Sequence, residues 1–170
     1  MGLFVIINLM IKVKKHLFIS VFFLVLVCLM AFWGYAYFFS NSELKSDFLG
    51  EATVKINDDY IRVMVMDTPE KRVKGLSGMD NISKGEGFFF IFDEPKKHGF
   101  WMKDMKFSID IIWINENGEV VSIKERASKD SYPEVFYPSE EAIWVLEILE
   151  GEADRLNIKI GSKVWFWRGL

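Results

Sequence analysis

The sequence has 170 residues, 51% of them hydrophobic and 16% aromatic, with one cysteine and a formal net charge of −3. That length gives one domain with a real core, plus an appendage. A single cysteine excludes an internal disulfide or dithiol pair, and an acidic balance lacks the basic footprint that nucleic acid requires.

The hydrophobic excess gathers near the N-terminus. Residues 1–16 include Lys12, Lys14 and Lys15, and Leu17 to Phe39 then runs LFISVFFLVLVCLMAFWGYAYFF without a charge. At about 1.5 Å per residue a helix of this length spans roughly 34 Å, enough to cross a hydrocarbon core. Trp33, Tyr35 and Tyr37 stand at its far end, where aromatic rings favour the membrane interface. Residues 17–39 are therefore expected to be a transmembrane anchor. The alternative is a signal cleaved near Gly34-Tyr35-Ala36, although the run exceeds the usual apolar core of about 7–15 residues. Cys28 follows Val27, whereas a lipid-modified cysteine wants a small residue before it. The lysines ahead of the span assign residues 1–16 to the cytoplasm and the rest of the chain to the outside. Without those three lysines, 18 basic residues remain against 24 acidic ones, about six net negative charges on the outer part.

Residues 40–50, SNSELKSDFLG, read as a polar stalk, and residues 51–170 as one domain. In it the period becomes two. Ala52 to Ile56 and Tyr60 to Met66 are strand-like and joined by Asn57-Asp58-Asp59. DTPEKRVKGLSG predicts a helix of about two turns, with Asp67 or Thr68 as cap, Pro69 in the first turn, Glu70 completing a capping box and Gly75 ending it. Phe88 to Phe92 reads as a strand buried on both faces and broken by Glu94-Pro95. Strands at Phe107 to Ile114 and Glu119 to Lys124 flank the hairpin signal Asn117-Gly118. A polar loop covers Ala127 to Glu140. Strands at Trp144 to Leu149 and Lys163 to Trp167, with a turn or short helix at Glu152 to Leu156, complete the pattern. The expectation is a mainly β domain, a sandwich or flattened barrel with one or two short helices, preceded by a transmembrane helix.

The chemistry-bearing motifs are few. No phosphate-binding glycine loop, CxxC, HExxH or nucleophile elbow is present, and no resident cofactor is expected. His98 is the one histidine after the span, which rules out a multi-histidine zinc site in a single copy. His98 with Met102 and Met105 offers imidazole and thioether, ligands that suit Cu(I); the same methionines also serve as core filler. Asp110 and Glu147 each sit among apolar residues in a strand, and a buried carboxylate must be paired, hydrogen-bonded or protonated. Asp110, Glu147, Lys103, Asp104 and Arg72 could line one cleft as acid, base or ligand clamp, or form structural salt bridges. Tyr132, Phe136 and Tyr137 on the long loop are stacking surfaces for a ligand such as a sugar, or loop anchors.

TPEKRVKGLSGM, GEGFFFIF, FWMKDMKFSIDIIWINENGEVV and WVLEILEGEADRLNIKIGSKVWF, in that order, resemble the DUF192 family, also called UPF0127. The resemblance spans roughly Ala52 to Trp167. Arg72 with Gly75-Leu76, the FWMK block from Phe100 to Lys103, and Leu146-Glu147 before Gly151 match the family pattern. Asp104 stands where the family carries asparagine, and Ser108 where it carries proline. The resemblance implies a compact, mainly β domain, often exported in prokaryotes and without an assigned activity, and it draws attention to Trp101, Met102, Lys103, Asp110 and Glu147. The leading expectation is a membrane-anchored, extracytoplasmic module that binds a small molecule, glycan or protein. The alternatives are a hydrolase or lyase using Asp110 or Glu147 with Lys103, and a Cu(I)-binding protein.

Overall fold

In the computed structural model the described residues are 52–168, together with Gly2, Lys14, Phe18, Phe22 and residues 24–35. The chain divides into two units, Met1–Ser46 and Asp47–Leu170. In the first, residues 24–35 are helical. Much of the expected span 17–39, and all of the expected stalk 40–50, lie outside the described residues. Among the described residues no helix is long and apolar enough to cross a membrane.

The second unit is mainly β. β1 (Ala52–Ile56) and β2 (Asp59–Met66) form an antiparallel hairpin in which Ile56 faces Asp59 and Asn57 takes the left-handed conformation, φ 53°. A helix, α1 (Pro69–Lys74), follows. Its cap is Thr68, whose hydroxyl accepts the Lys71 N–H at 3.3 Å, rather than Asp67. Asp67 meets Arg168 at 2.6 Å instead. β3 (Glu86–Lys96) then returns parallel to β2, with Met64 opposite Phe88, so α1 lies in the crossover that a parallel pair demands. β3 outlasts the expected break at Glu94-Pro95. Its pairing slips between Ile91 and Lys96, which leaves Pro95 where no regular ladder bond is needed.

β4 (Phe100–Trp101) pairs with β7 (Val135–Phe136) as a separate two-stranded ribbon, the second strand lying in the segment read from sequence as a polar loop. β5 (Ile109–Ile114), β6 (Val120–Ala127) and β8 (Ala142–Leu149) join the main sheet, then the single turn α2 (Glu152–Arg155) leads towards β9 (Val164–Arg168). The seven strands run in the order β6-β5-β8-β3-β2-β1-β9. This is one sheet, and it curls until its edges touch. Glu119 bridges Lys163 just ahead of the two edge strands, and Val164 donates its N–H to Gly118 O at 2.8 Å.

Curling separates two cores. All seven strands send residues to the concave side, including Val54, Val63, Phe89, Ile112, Val120, Leu146 and Val164, joined by Ala153 and Leu156 from the α2 region. Phe89 is fully buried there and stacks on Phe166 at 4.7 Å; truncating such a side chain to alanine costs about 3–5 kcal/mol. The convex side of β3, β5 and β8 carries Phe88, Phe90, Ile109, Ile111, Trp113 and Val145, covered by Leu76, Ile82, Met102 and Phe136 from the connecting segments. A cleft opens on this second side.

Candidate ligand-binding site

β8 is hydrogen-bonded on both flanks, to β3 and β5. Strand alternation sends Leu146 and Ile148 to the concave core and Val145 and Glu147 to the convex side. Glu147 is therefore held between Phe88 on one neighbour and Ile111 on the other, both fully buried. Its side chain is only 5% exposed, and its carboxyl has neither hydrogen-bond partner nor counter-ion among the described residues. Burial alone pushes it up to about 8, so the group is a neutral acid at pH 7.

The carboxyl lines a cleft of about 330 Å³. That volume is at the lower end of small-molecule sites. The wall beside α1 is Arg72, Val73, Gly75 and Leu76; the opposite wall is Phe90, Phe92, Phe100, Trp101 and Met105. Val73 is 79% exposed and Trp101 54%, so both present apolar surface at the mouth. Gly75 ends α1 at φ 45°, ψ −133°, a conformation open to glycine, and an added Cβ would stand 3.5 Å from the Phe90 ring.

Arg72 is fixed from several sides. One terminal nitrogen donates to Asp67 O at 3.0 Å and Ile91 O at 2.7 Å, the other to Asp93 at 3.5 Å, and the guanidinium lies over the Phe92 ring at 5.3 Å. His98 stacks on the same ring at 3.5 Å, its Nε2 on Glu94 O and its carbonyl accepting Trp113 Nε1–H. Helix, strand and ribbon are thus tied together at Phe92.

Of the residues singled out from sequence, Arg72, Trp101, Met105 and Glu147 share the cleft. Lys103, Asp104 and Asp110 do not line it. Met102 is buried in the core beneath. Lys103 projects to solvent, and its carbonyl accepts the Ser77 hydroxyl at 2.9 Å. Asp104 takes φ 57° in a turn whose carbonyl accepts Gly78 N–H at 3.0 Å. His98 and Met105 lie in or near the walls, but the His98 ring nitrogen is turned to a carbonyl, and no cluster of three His, Cys, Asp or Glu occurs among the described residues.

Asp110 requires a correction to the shared-cleft reading. Its neighbour Ile111 faces Glu147 across the ladder, so Asp110 projects to the opposite side of the sheet. There it is fully buried and satisfied: one oxygen accepts Arg126 N–H at 2.7 Å, the other Ala153 N–H at 2.9 Å. α2 begins at Gly151, which has no side chain to cap it, and Asp110 supplies the acceptor from another strand. The other buried carboxylate, Glu152, is met by Arg155 at 2.7 Å and Gly85 N–H at 3.3 Å; the Arg155 bond holds it below its ordinary range.

Sequence reading missed the aromatic wall. Phe90, Phe92 and Phe100 looked like core, and Val73 like an ordinary helix residue. The available signal was Val73 itself, an apolar side chain between Arg72 and Lys74 on a helix too short to bury one face.

Arg72, Trp101 and Glu147 all fall within residues 52–166, which match the profile of the DUF192 family, described as an uncharacterised ACR. The chain belongs to the DUF192 family. No curated protein matches it. A DUF192-like fold recurs in a crystal structure from Sinorhizobium meliloti 1021, of a protein provisionally called a transcription regulator, with TM-score 0.65 and 23% identity over 69% of this chain and 95% of that one. It recurs in a protein of unknown function from Novosphingobium aromaticivorans DSM 12444, with TM-score 0.63 and 28% identity over 69% and 84%. At such identity the first likeness concerns the fold alone. The positive φ at Asp104 asks for a residue that tolerates the left-handed region, as aspartate and asparagine do.

Proposed function

We propose that this DUF192 domain is a small-molecule-binding module, tethered to the outer face of a membrane by residues 17–39. The observation that carries the binding reading is Glu147, an unpartnered and nine-tenths buried carboxyl at the foot of an apolar cleft. Structural carboxylates in the same domain, Asp110 and Glu152, are fully matched by donors. A group left unmatched in a cleft is stabilised by what enters it.

The tether reading rests on the uncharged run from Leu17 to Phe39 and the lysines before it. A hydrolase or lyase would have to run on Glu147 as a lone general acid, since Asp110 faces the other side and Lys103 is outside the cleft.

Binding is tested by thermal-shift screening of the full chain against a metabolite library. Hits should disappear in Val73→Trp, which fills the mouth, and persist in Lys103→Ala; hits indifferent to Val73→Trp would refute the site. Tethering is tested by carbonate washing of membranes, with release of the chain counting against it.

A further inference from the structure

We propose that the ligand of this cleft is an ammonium compound on a small apolar body, whose N–H groups bond the carboxylate of Glu147. The inference rests on the binding reading above and names the chemistry of the ligand.

Two observations favour a cation over an acid or a neutral acceptor. First, Glu147 is nine-tenths buried with no partner among the described residues, while the oxygens of the other buried carboxyl groups, Asp110 and Glu152, are met by donors inside the fold. The missing partner is a donor. Second, the carboxyl shares its cleft with the aromatic side chains of Phe90, Phe100 and Trp101, and the negative faces of aromatic rings attract a cation. The other charged groups lining the cleft are Arg72 and Lys74, both on α1, with Lys74 exposed to solvent; β3 contributes Phe88 and Phe90 beside Glu147, and β5 Ile111. Arg72 is already engaged by Asp67 O, Ile91 O and Asp93, so it does not reach in to fill the vacancy.

The proton balance is simple. An ammonium ligand displaces the Glu147 proton to solvent and leaves a carboxylate–ammonium pair; a ligand arriving as free amine takes that proton directly. Because the free group titrates near 8, ionising it at pH 7 costs about tenfold in affinity. A charge-assisted bond in a desolvated cleft outweighs this. Apparent affinity for an ammonium ligand should therefore rise about tenfold from pH 6 to 7 and flatten near 8.

The experiment is isothermal titration of the full chain with phenethylamine, phenethyl alcohol and hydrocinnamate, near-isosteric probes that differ in the polar end. Repeating it in buffers of different ionisation enthalpy counts the protons released. The expected result is that phenethylamine binds at least tenfold tighter than the other two, releases close to one proton at pH 7, and loses that advantage in Glu147→Gln. Far-UV circular dichroism and the melting temperature show whether the variant is folded, and Glu147→Asp, which keeps the acid, should retain part of the preference. Binding of the alcohol or the acid as tightly as the amine, blocked by Val73→Trp, would overturn the ammonium assignment and leave the binding cleft standing. No binding of any probe, with library hits unaffected by Val73→Trp, would remove both.

Discussion

Asp110 and Glu147 lie on adjacent strands one register step apart, yet they point to opposite sides of the same sheet. One is fully hydrogen-bonded and the other has no partner among the described residues. A single step of the pleat separates a hydrogen-bonded acid from a cleft-facing one, and the two should respond differently to substitution.

Asp110→Ala strips the acceptors from two backbone N–H groups, those of Arg126 and Ala153. Each buried donor left unsatisfied costs about 1–3 kcal/mol, so two of them give a loss of roughly 2–6 kcal/mol, towards the low end because the Arg126 bond is only part-buried. Urea unfolding should show the midpoint fall with an unchanged slope. Asp110→Asn keeps one acceptor and should lose about half as much. A near-neutral Asp110→Ala would show that the α2 turn does not depend on this cap.

Glu147 makes stability fall as pH rises. Its carboxyl is raised by burial from 4.5 to about 8 in the folded chain, so the native state holds a proton that the unfolded state releases. Stability contributed by the neutral acid is complete below about pH 4.5 and is lost at up to about 1.4 kcal/mol per pH unit towards pH 8. Glu147→Gln should be nearly neutral at pH 5 and more stable than wild type by several kcal/mol at pH 8. Denaturant melts of both proteins across that range decide it, and parallel pH profiles would exclude the shift.

Asp104 occupies a left-handed turn position at φ 57°. Asp104→Asn should be neutral or slightly stabilising, and Asp104→Gly should gain up to about 1 kcal/mol or stay level, depending on the flexibility it adds to the unfolded chain. Asp104→Val should cost about 1–2 kcal/mol through backbone strain. Melting temperatures of the three variants order them.

Gly118 combines φ 69° with a close approach: an added Cβ would stand 2.7 Å from Val164 O. Gly118→Ala should therefore open the contact between the two sheet edges, with a loss on the order of 2 kcal/mol or more. The exposed strand edges should appear as increased aggregation by light scattering. Unchanged stability and solubility would mean that the bridge at Glu119 and Lys163 carries little weight.

Much of this fold was legible in the sequence. The alternation in Ala52 to Met66, the Asn117-Gly118 turn and the short helix after Pro69 arise from local chemistry, and they appear where local chemistry puts them. The ribbon of Phe100–Trp101 with Val135–Phe136 was not legible, because two-residue strands are made by their partner rather than by propensity. The parallel return of β3 and the closing of the sheet were hidden for the same reason. At the site, the parity of Asp110 within its strand was readable, and so was that of Glu147. Whether they met depended on the register between β5 and β8, which is a long-range fact. Arg72 and Trp101 could be picked out as unusual residues, but the phenylalanines beside them could not be distinguished from core until the sheet had two sides.

β1 pairs with β9 from Ala52 opposite Arg168 to Ile56 opposite Val164. The domain's first strand thus waits for its last. During synthesis, residues 52–163 can emerge while the outer edge of β1 stays open, and the concave side cannot seal until Val164 and Phe166 arrive. Joining strands about a hundred residues apart is a long-range pairing that has to wait for the end of the domain to be made. Until then the nascent chain displays an unfinished apolar trough, the kind of surface that holding chaperones recognise. Its maturation is governed by the arrival of its final five-residue strand.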